Sequence, residues 1–128
     1  MKLLLDTHAF LWYFTADPRL SKTAVSTIGI VQNELFFSMA SVWEIGIKSS
    51  IGKPTLPGPF TTLLPSQMKQ AGISLLNIEF AHVAAGTALP FHHKDPFDRM
   101  IAAQCIVEQL PLLSSDPIFD QYGIQRIW

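Results

Sequence analysis

Four short apolar runs, separated by segments of helical spacing, constrain this 128-residue chain more than any other feature. Lys2–Leu5, Leu35–Ser38, Ile73–Ile78 and Leu110–Leu113 are nearly unbroken in their apolar character, the pattern of buried strands. Between them, Thr7–Phe14 carries Phe10, Leu11 and Phe14 at helical spacing. Ser21–Val31, the stretch from Ser41 onward, Phe60–Gln70, Phe80–Thr87 and Asp95–Gln109 also read as helices. Asp17–Pro18 marks a turn, Gly52–Pro59 a loop, and Gly72 ends the helix before it. Asp116–Pro117 starts a short helix and Ile124–Trp128 adds an edge strand. Strands alternating with helices predict an α/β domain, a three-layer sandwich whose mostly parallel central sheet of four to five strands is flanked by helices.

Size and composition narrow the function. A chain of 14.3 kDa is expected to form one domain over residues 1–128. One cysteine, Cys105, excludes an internal disulfide and reads as core packing. A net charge of −1 with 15% charged residues excludes a polybasic nucleic-acid arm, and 48% hydrophobic residues exclude disorder. That apolar share is high for a small domain and favours a surface covered by a partner. Leu3–Leu4–Leu5 is too short to cross a membrane or serve as an export signal, so a cytoplasmic location is expected.

Ligands of parallel sheets sit beyond the carboxyl ends of the strands. Asp6 follows the first apolar run and Asp116 the last, while Glu44 and Asp98 lie near the starts of helices returning beside the same edge. Each has a local explanation as well. Asp6 suits the N-cap of the helix at Thr7, and Glu44 pairs with Lys48 at i, i+4. Asp95–Pro96 is a complete helix start with Asp98 in its first turn, and Asp116–Pro117 repeats it. If the four converge, two unit charges about 4 Å apart repel by about 4 kcal/mol at an effective dielectric near 20. A divalent cation removes that penalty, and a set of carboxylate oxygens suits Mg²⁺ or Mn²⁺. Adjacent His92 and His93 do not naturally face one ion, so zinc held by His8, His82, His92 or His93 is not expected. Trp12, Trp43 and Trp128 read as core.

Four blocks carry a family resemblance: Leu4-Leu5-Asp6-Thr7-His8, Ser41-Val42-Trp43-Glu44-Ile45, His93-Lys94-Asp95-Pro96-Phe97-Asp98-Arg99 and Leu113-Ser114-Ser115-Asp116. In that order and spacing the chain resembles a PIN-domain ribonuclease of the VapC toxin type. The resemblance implies a metal-dependent endoribonuclease hydrolysing RNA phosphodiester bonds. Asp6, Glu44, Asp98 and Asp116 would share one acidic pocket holding Mg²⁺ or Mn²⁺. It also implies a VapB-type antitoxin as partner and a homodimer.

Supporting roles fall on three residues. Thr7 either orients a water or bonds within its own helical turn. Arg99 either pairs with Asp98, contacts RNA phosphate or solvates a helix surface. Ser114 supports Asp6 or Asp116, or is ordinary turn chemistry. RNA binding by a chain with nine Lys and Arg predicts modest nonspecific affinity, with Lys48, Lys53, Lys94 and Arg99 along one groove of a dimer. Two other readings compete. A phosphoryl-accepting aspartate fits Asp6, but a haloacid-phosphatase pattern needs an acid where His8 stands, and a receiver's paired acids and late lysine are missing. A catalytically silent domain of the same fold that only binds a partner is the other, although bare acidic clusters cost stability.

Overall fold

Leu3, Leu4 and Leu5 are fully buried because they form the middle of the sheet. The structure, a computed structural model, describes residues 1–128. β1 (Lys2–Leu5) has β2 (Glu34–Ser38) and β3 (Ile73–Leu76) on one side, and β4 (Leu112–Leu113) and β5 (Arg126–Ile127) on the other. All pairings are parallel, with Leu3 opposite Leu35, Leu35 opposite Ile73, and Leu5 opposite both Phe37 and Leu113.

Parallel neighbours need long crossovers, which the helices supply. α1 (Thr7–Phe14) and α2 (Lys22–Gly29) join β1 to β2, and α3 (Met39–Ser50) and α4 (Phe60–Ala71) join β2 to β3. α5 (Phe80–Ala88) and α6 (Pro96–Glu108) lead to β4, and a 3₁₀ helix (Pro117–Tyr122) leads to β5. Because side chains alternate along a strand, β1 serves two cores. Leu3 and Leu5, with Leu35, Phe37, Ile73 and Leu113, pack on Phe10, Ile28, Ile45, Leu64 and Met68. Leu4 and Leu112 turn to the other face, against Ile101, Ala102, Cys105 and Phe119. Burial pushes the Cys105 thiol well up from its ordinary range, as befits a packing residue.

Several element ends differ from the sequence expectation. α3 begins at Met39 rather than Ser41 because Ser38 caps it, its Oγ accepting from the Ala40 N–H at 3.0 Å. That helix start also ends β2, so β3 stops at Leu76, opposite Ser38, short of Ile78. β4 covers only Leu112–Leu113, because the Leu110 N–H closes the end of α6 on the Cys105 carbonyl and Pro111 has no N–H. Trp12 and Trp128 pack against the first core, whereas Trp43 is 62% exposed and lies edge-on to Phe97, 5.5 Å between centroids.

The order β3-β2-β1-β4-β5 places the reversal of chain progression between β1 and β4, where a crevice opens at the carboxyl ends of the strands. The Asp6 N–H donates to the Leu113 carbonyl at 3.0 Å, so the residues leaving both strands are side by side. Since Leu4 is fully buried at the centre of this sheet, Leu4→Ala is expected to lower the unfolding free energy by about 2–5 kcal/mol, measured by urea denaturation.

Candidate active site

Asp6 leaves β1 only 6% exposed, and both its carboxylate oxygens have donors. Oδ1 accepts from the Thr7 N–H at 2.7 Å, which caps α1, and Oδ2 accepts from Ser114 Oγ at 2.7 Å. Ser114 Oγ in turn accepts from the Asp116 N–H at 3.1 Å, so one buried hydroxyl ties the acids after β1 and β4 together. Burial outweighs these two hydrogen bonds and raises the Asp6 pKa above the usual carboxylate range. Thr7 does not bond within its own helical turn: its Oγ1 donates to Ser41 Oγ at 2.7 Å and ties the start of α1 to α3.

Glu44 comes from α3, where its Oε2 lies 3.3 Å from Lys48 Nζ, the i, i+4 pair read from the sequence. Asp98 sits in the first turn of α6, behind an N-cap Asp95 that accepts from the Phe97 and Asp98 N–H groups. Asp116 caps the 3₁₀ helix, its Oδ1 accepting from the Ile118 N–H at 3.0 Å. The four acids share one field. Burial first, then the charges of Asp6, Asp95, Glu44 and Asp116, push the Asp98 pKa up to about 8.

Such a cluster has the chemistry of a hard-cation site: carboxylate oxygens, four acids against the one lysine that pairs with Glu44, and an acid that burial and its neighbours' charges keep protonated near neutrality. No three His, Cys, Asp or Glu side chains stand close enough to enclose one ion by themselves. This accords with Mg²⁺, which uses one or two carboxylates and takes its other ligands from water and substrate phosphate.

Arg99 does not join the acids, nor is it available to a groove. It is 8% exposed and its guanidinium donates to the carbonyls of Gly86, Leu89, Pro90 and His93 at 3.0–3.3 Å, beneath the ring of Phe91. Five donors in a rigid fork can satisfy a whole turn of backbone, so Arg99 fastens the segment between α5 and α6. That segment carries a residue which sequence reasoning weighed only as a zinc ligand. His93 Nε2 lies 3.0 Å from Asp116 Oδ2 and 3.1 Å from Asp98 Oδ2. The available signal was its place two residues before the N-cap Asp95, from which its ring reaches back over the start of α6. His82 lies elsewhere, buried between α5 and Glu108 of α6.

A raised carboxyl pKa favours the folded state only while the group is protonated. The metal-free protein is therefore expected to lose stability as pH rises from about 4 through about 8, and Asp98→Asn to flatten that decline and raise Tm at pH 8, read by thermal denaturation with chelator present. Arg99→Lys is expected to cost about 2–4 kcal/mol in urea unfolding, because an ammonium cannot bridge four carbonyls.

The chain matches the PIN domain family over residues 3–125. Over 71 residues it is 41% identical to Ribonuclease VapC16 of Mycobacterium tuberculosis, covering 52% of this chain and 50% of that protein. The chain thus spans about half the length of the curated relative it matches. Its fold is similar to that in the crystal structure of VapBC2 from Rickettsia felis bound to a DNA fragment from their promoter, with a TM-score of 0.72, 12% identity and 100% of both chains covered. It is also similar to a toxin–antitoxin complex from Klebsiella pneumoniae, with a TM-score of 0.61, 15% identity, and 90% of this chain and 87% of that one covered. At these identities the likeness is one of fold. A match over nearly the whole chain places this protein in the PIN domain family.

Proposed function

We propose that this protein is a metal-dependent endoribonuclease that hydrolyses RNA phosphodiester bonds, acting as the cytoplasmic toxin of a toxin–antitoxin pair. The observation that carries this reading is the charge coupling of the acids: burial first, then the charges of Asp6, Asp95, Glu44 and Asp116, hold the Asp98 carboxyl at about 8. Membership of the PIN family and the similarity to a ribonuclease over half its length support it. Residues 1–128 are read as one such domain.

In this reading Asp6, Glu44, Asp98 and Asp116 would hold Mg²⁺ or Mn²⁺, some of them through water. When bound, such an ion neutralises charge on the phosphoryl oxygens and makes an attacking water acidic enough to react near neutral pH. The chain's own part is placement and charge. Ser114 and the Thr7 N–H hold the two oxygens of Asp6 in fixed directions. Glu44 approaches from α3, which the Thr7–Ser41 hydrogen bond fastens to the same edge. Burial and the neighbouring carboxylates favour the protonated form of Asp98 at pH 7, and a bound cation would favour its loss. Arg99 acts on none of these groups directly and serves by fixing the segment that precedes α6.

Two protein partners follow from this reading, a VapB-type antitoxin and a second copy of the chain. Exposed Val31, Ile51, Phe80 and Phe91 supply apolar surface of the kind such partners cover. The toxin–antitoxin complex among the structures of similar fold supports the first.

The test is cleavage of total cellular RNA by purified protein with Mg²⁺ or Mn²⁺, beside Asp6→Asn and Asp98→Asn. Each variant is expected to lose at least about 100-fold in rate, and chelation is expected to silence the wild type. Wild-type rates in both variants would refute the assignment. Because Asp98→Asn is expected to raise the Tm of the metal-free protein at pH 8, thermal denaturation separates its loss of activity from unfolding.

A further inference from the structure

Each carboxylate oxygen of Asp116 already has one partner. Its Oδ1 is engaged by the Ile118 N–H at 3.0 Å, and its Oδ2 by His93 Nε2 at 3.0 Å. Asp98 makes no hydrogen bond through its carboxylate except in the neighbourhood of that same ring nitrogen, 3.1 Å from Oδ2. The ring is set from its other side. Nδ1 accepts from the Asp95 N–H at 3.3 Å, which assigns the ring proton to Nε2 and aims it at the carboxylates.

The main chain of His93 is held at both ends. Its N–H donates to Tyr122 Oη at 2.9 Å, which itself donates to the Pro90 carbonyl at 2.8 Å. Its carbonyl accepts from Arg99 Nη1 at 3.3 Å. The ring packs against Phe119 of the second core, with centroids 5.7 Å apart. A side chain anchored this way does not wander. It closes a chain of hydrogen bonds running from the Asp95 N–H through His93 to Asp116, from the Asp116 N–H to Ser114, and from Ser114 to Asp6.

We propose that His93 is a positioning residue of the nuclease centre: its Nε2–H donates to Asp116 and lies between Asp116 and Asp98, holding the carboxylate after β4 beside the carboxylate of α6. This rests on the function proposed above. Without the ring, no donor stands between two carboxyl groups from different elements, and nothing holds them at the spacing at which they meet a cation. Asp116 in turn anchors His93 and, through its N–H, Ser114. Groups that orient metal-binding carboxylates and imidazoles typically account for about 10–100-fold in metal affinity or activity.

The test uses the full chain and Mn²⁺ as probe, with bound ion read by electron paramagnetic resonance and cleavage of the same RNA followed against Mn²⁺ concentration. His93→Ala and His93→Asn are expected to bind Mn²⁺ about 10–100-fold more weakly and to shift the Mn²⁺ dependence of cleavage by the same factor. His93→Gln, whose amide nitrogen reaches the place of Nε2, is expected to stay near the wild type. A merely structural histidine would lower Tm in all three variants without moving the Mn²⁺ midpoint. If His93→Ala does not fold, the Gln and Asn variants decide between the two. Folded Ala or Asn variants that bind Mn²⁺ like the wild type would overturn the proposal and leave the nuclease reading intact, as would a Gln variant as weak as Ala. A wild type that binds Mn²⁺ with the expected dependence on residue 93 yet cleaves no RNA would end the nuclease reading while upholding the positioning role. A wild type that binds no Mn²⁺ would overturn both.

Discussion

The burial of Asp6 at the junction of β1 and β4 is the constraint on which the rest of the crevice depends. Removing a carboxylate from water costs several kcal/mol even after the protein relaxes, while each hydrogen bond to a charged group returns about 1.5–3 kcal/mol. The two bonds that Asp6 receives do not close that gap, as its raised pKa records. Neighbouring hydroxyls are therefore drawn in around it. Ser114, Thr7 and Ser41 are all buried, and their hydrogen bonds fasten β4, α1 and α3 to the same point. Asp98 then meets a field that is already negative. The unfavourable charge state of the crevice follows from the topology, since an all-parallel sheet with β1 at its centre delivers its first and last acids to one place.

Most acids of the crevice also start helices. Asp6, Asp95 and Asp116 each accept from backbone N–H groups at the head of α1, α6 or the 3₁₀ helix. Capping and function are thus not rival explanations of these residues. The magnitudes still separate them. A favourable helix dipole contributes about 0.3–1 kcal/mol, whereas like charges about 4 Å apart oppose each other by about 4 kcal/mol at an effective dielectric near 20. Capping accounts for each acid singly and does not account for gathering them. That surplus of repulsion is the physical reason to look for a cation.

Much of this was legible in the residues. Continuous apolar runs marked the strands, and Ser21, Asp95–Pro96 and Gly72 marked helix ends, because those signals are local. The strand ends were less legible, since β3 stops where its neighbour turns into α3 and β4 is shortened by the closure of α6. The four acids were readable as a set once the topology was inferred. The directions of Arg99 and His93 were not. An arginine beside Asp98 in sequence points to the other side of its helix, and only the fold shows that four carbonyls are waiting there. His93 was hidden by its neighbour His92, which packs on Tyr122 instead. Trp43 reads as core by composition, yet its position on α3 leaves it largely in solvent against Phe97.

The hydrogen bond from Ser114 to Asp6 spans 108 residues. No fragment from the amino-terminal part of the chain can hold the acid cluster, because Asp6 lacks its hydroxyl partner until β4 has been made and laid beside β1. During synthesis, then, the carboxylates stay dispersed along an unfinished polypeptide, and the crevice forms in one late event after Ser114 and Asp116 have left the ribosome. Anything that recognises the crevice can therefore find it only after β4 has docked beside β1.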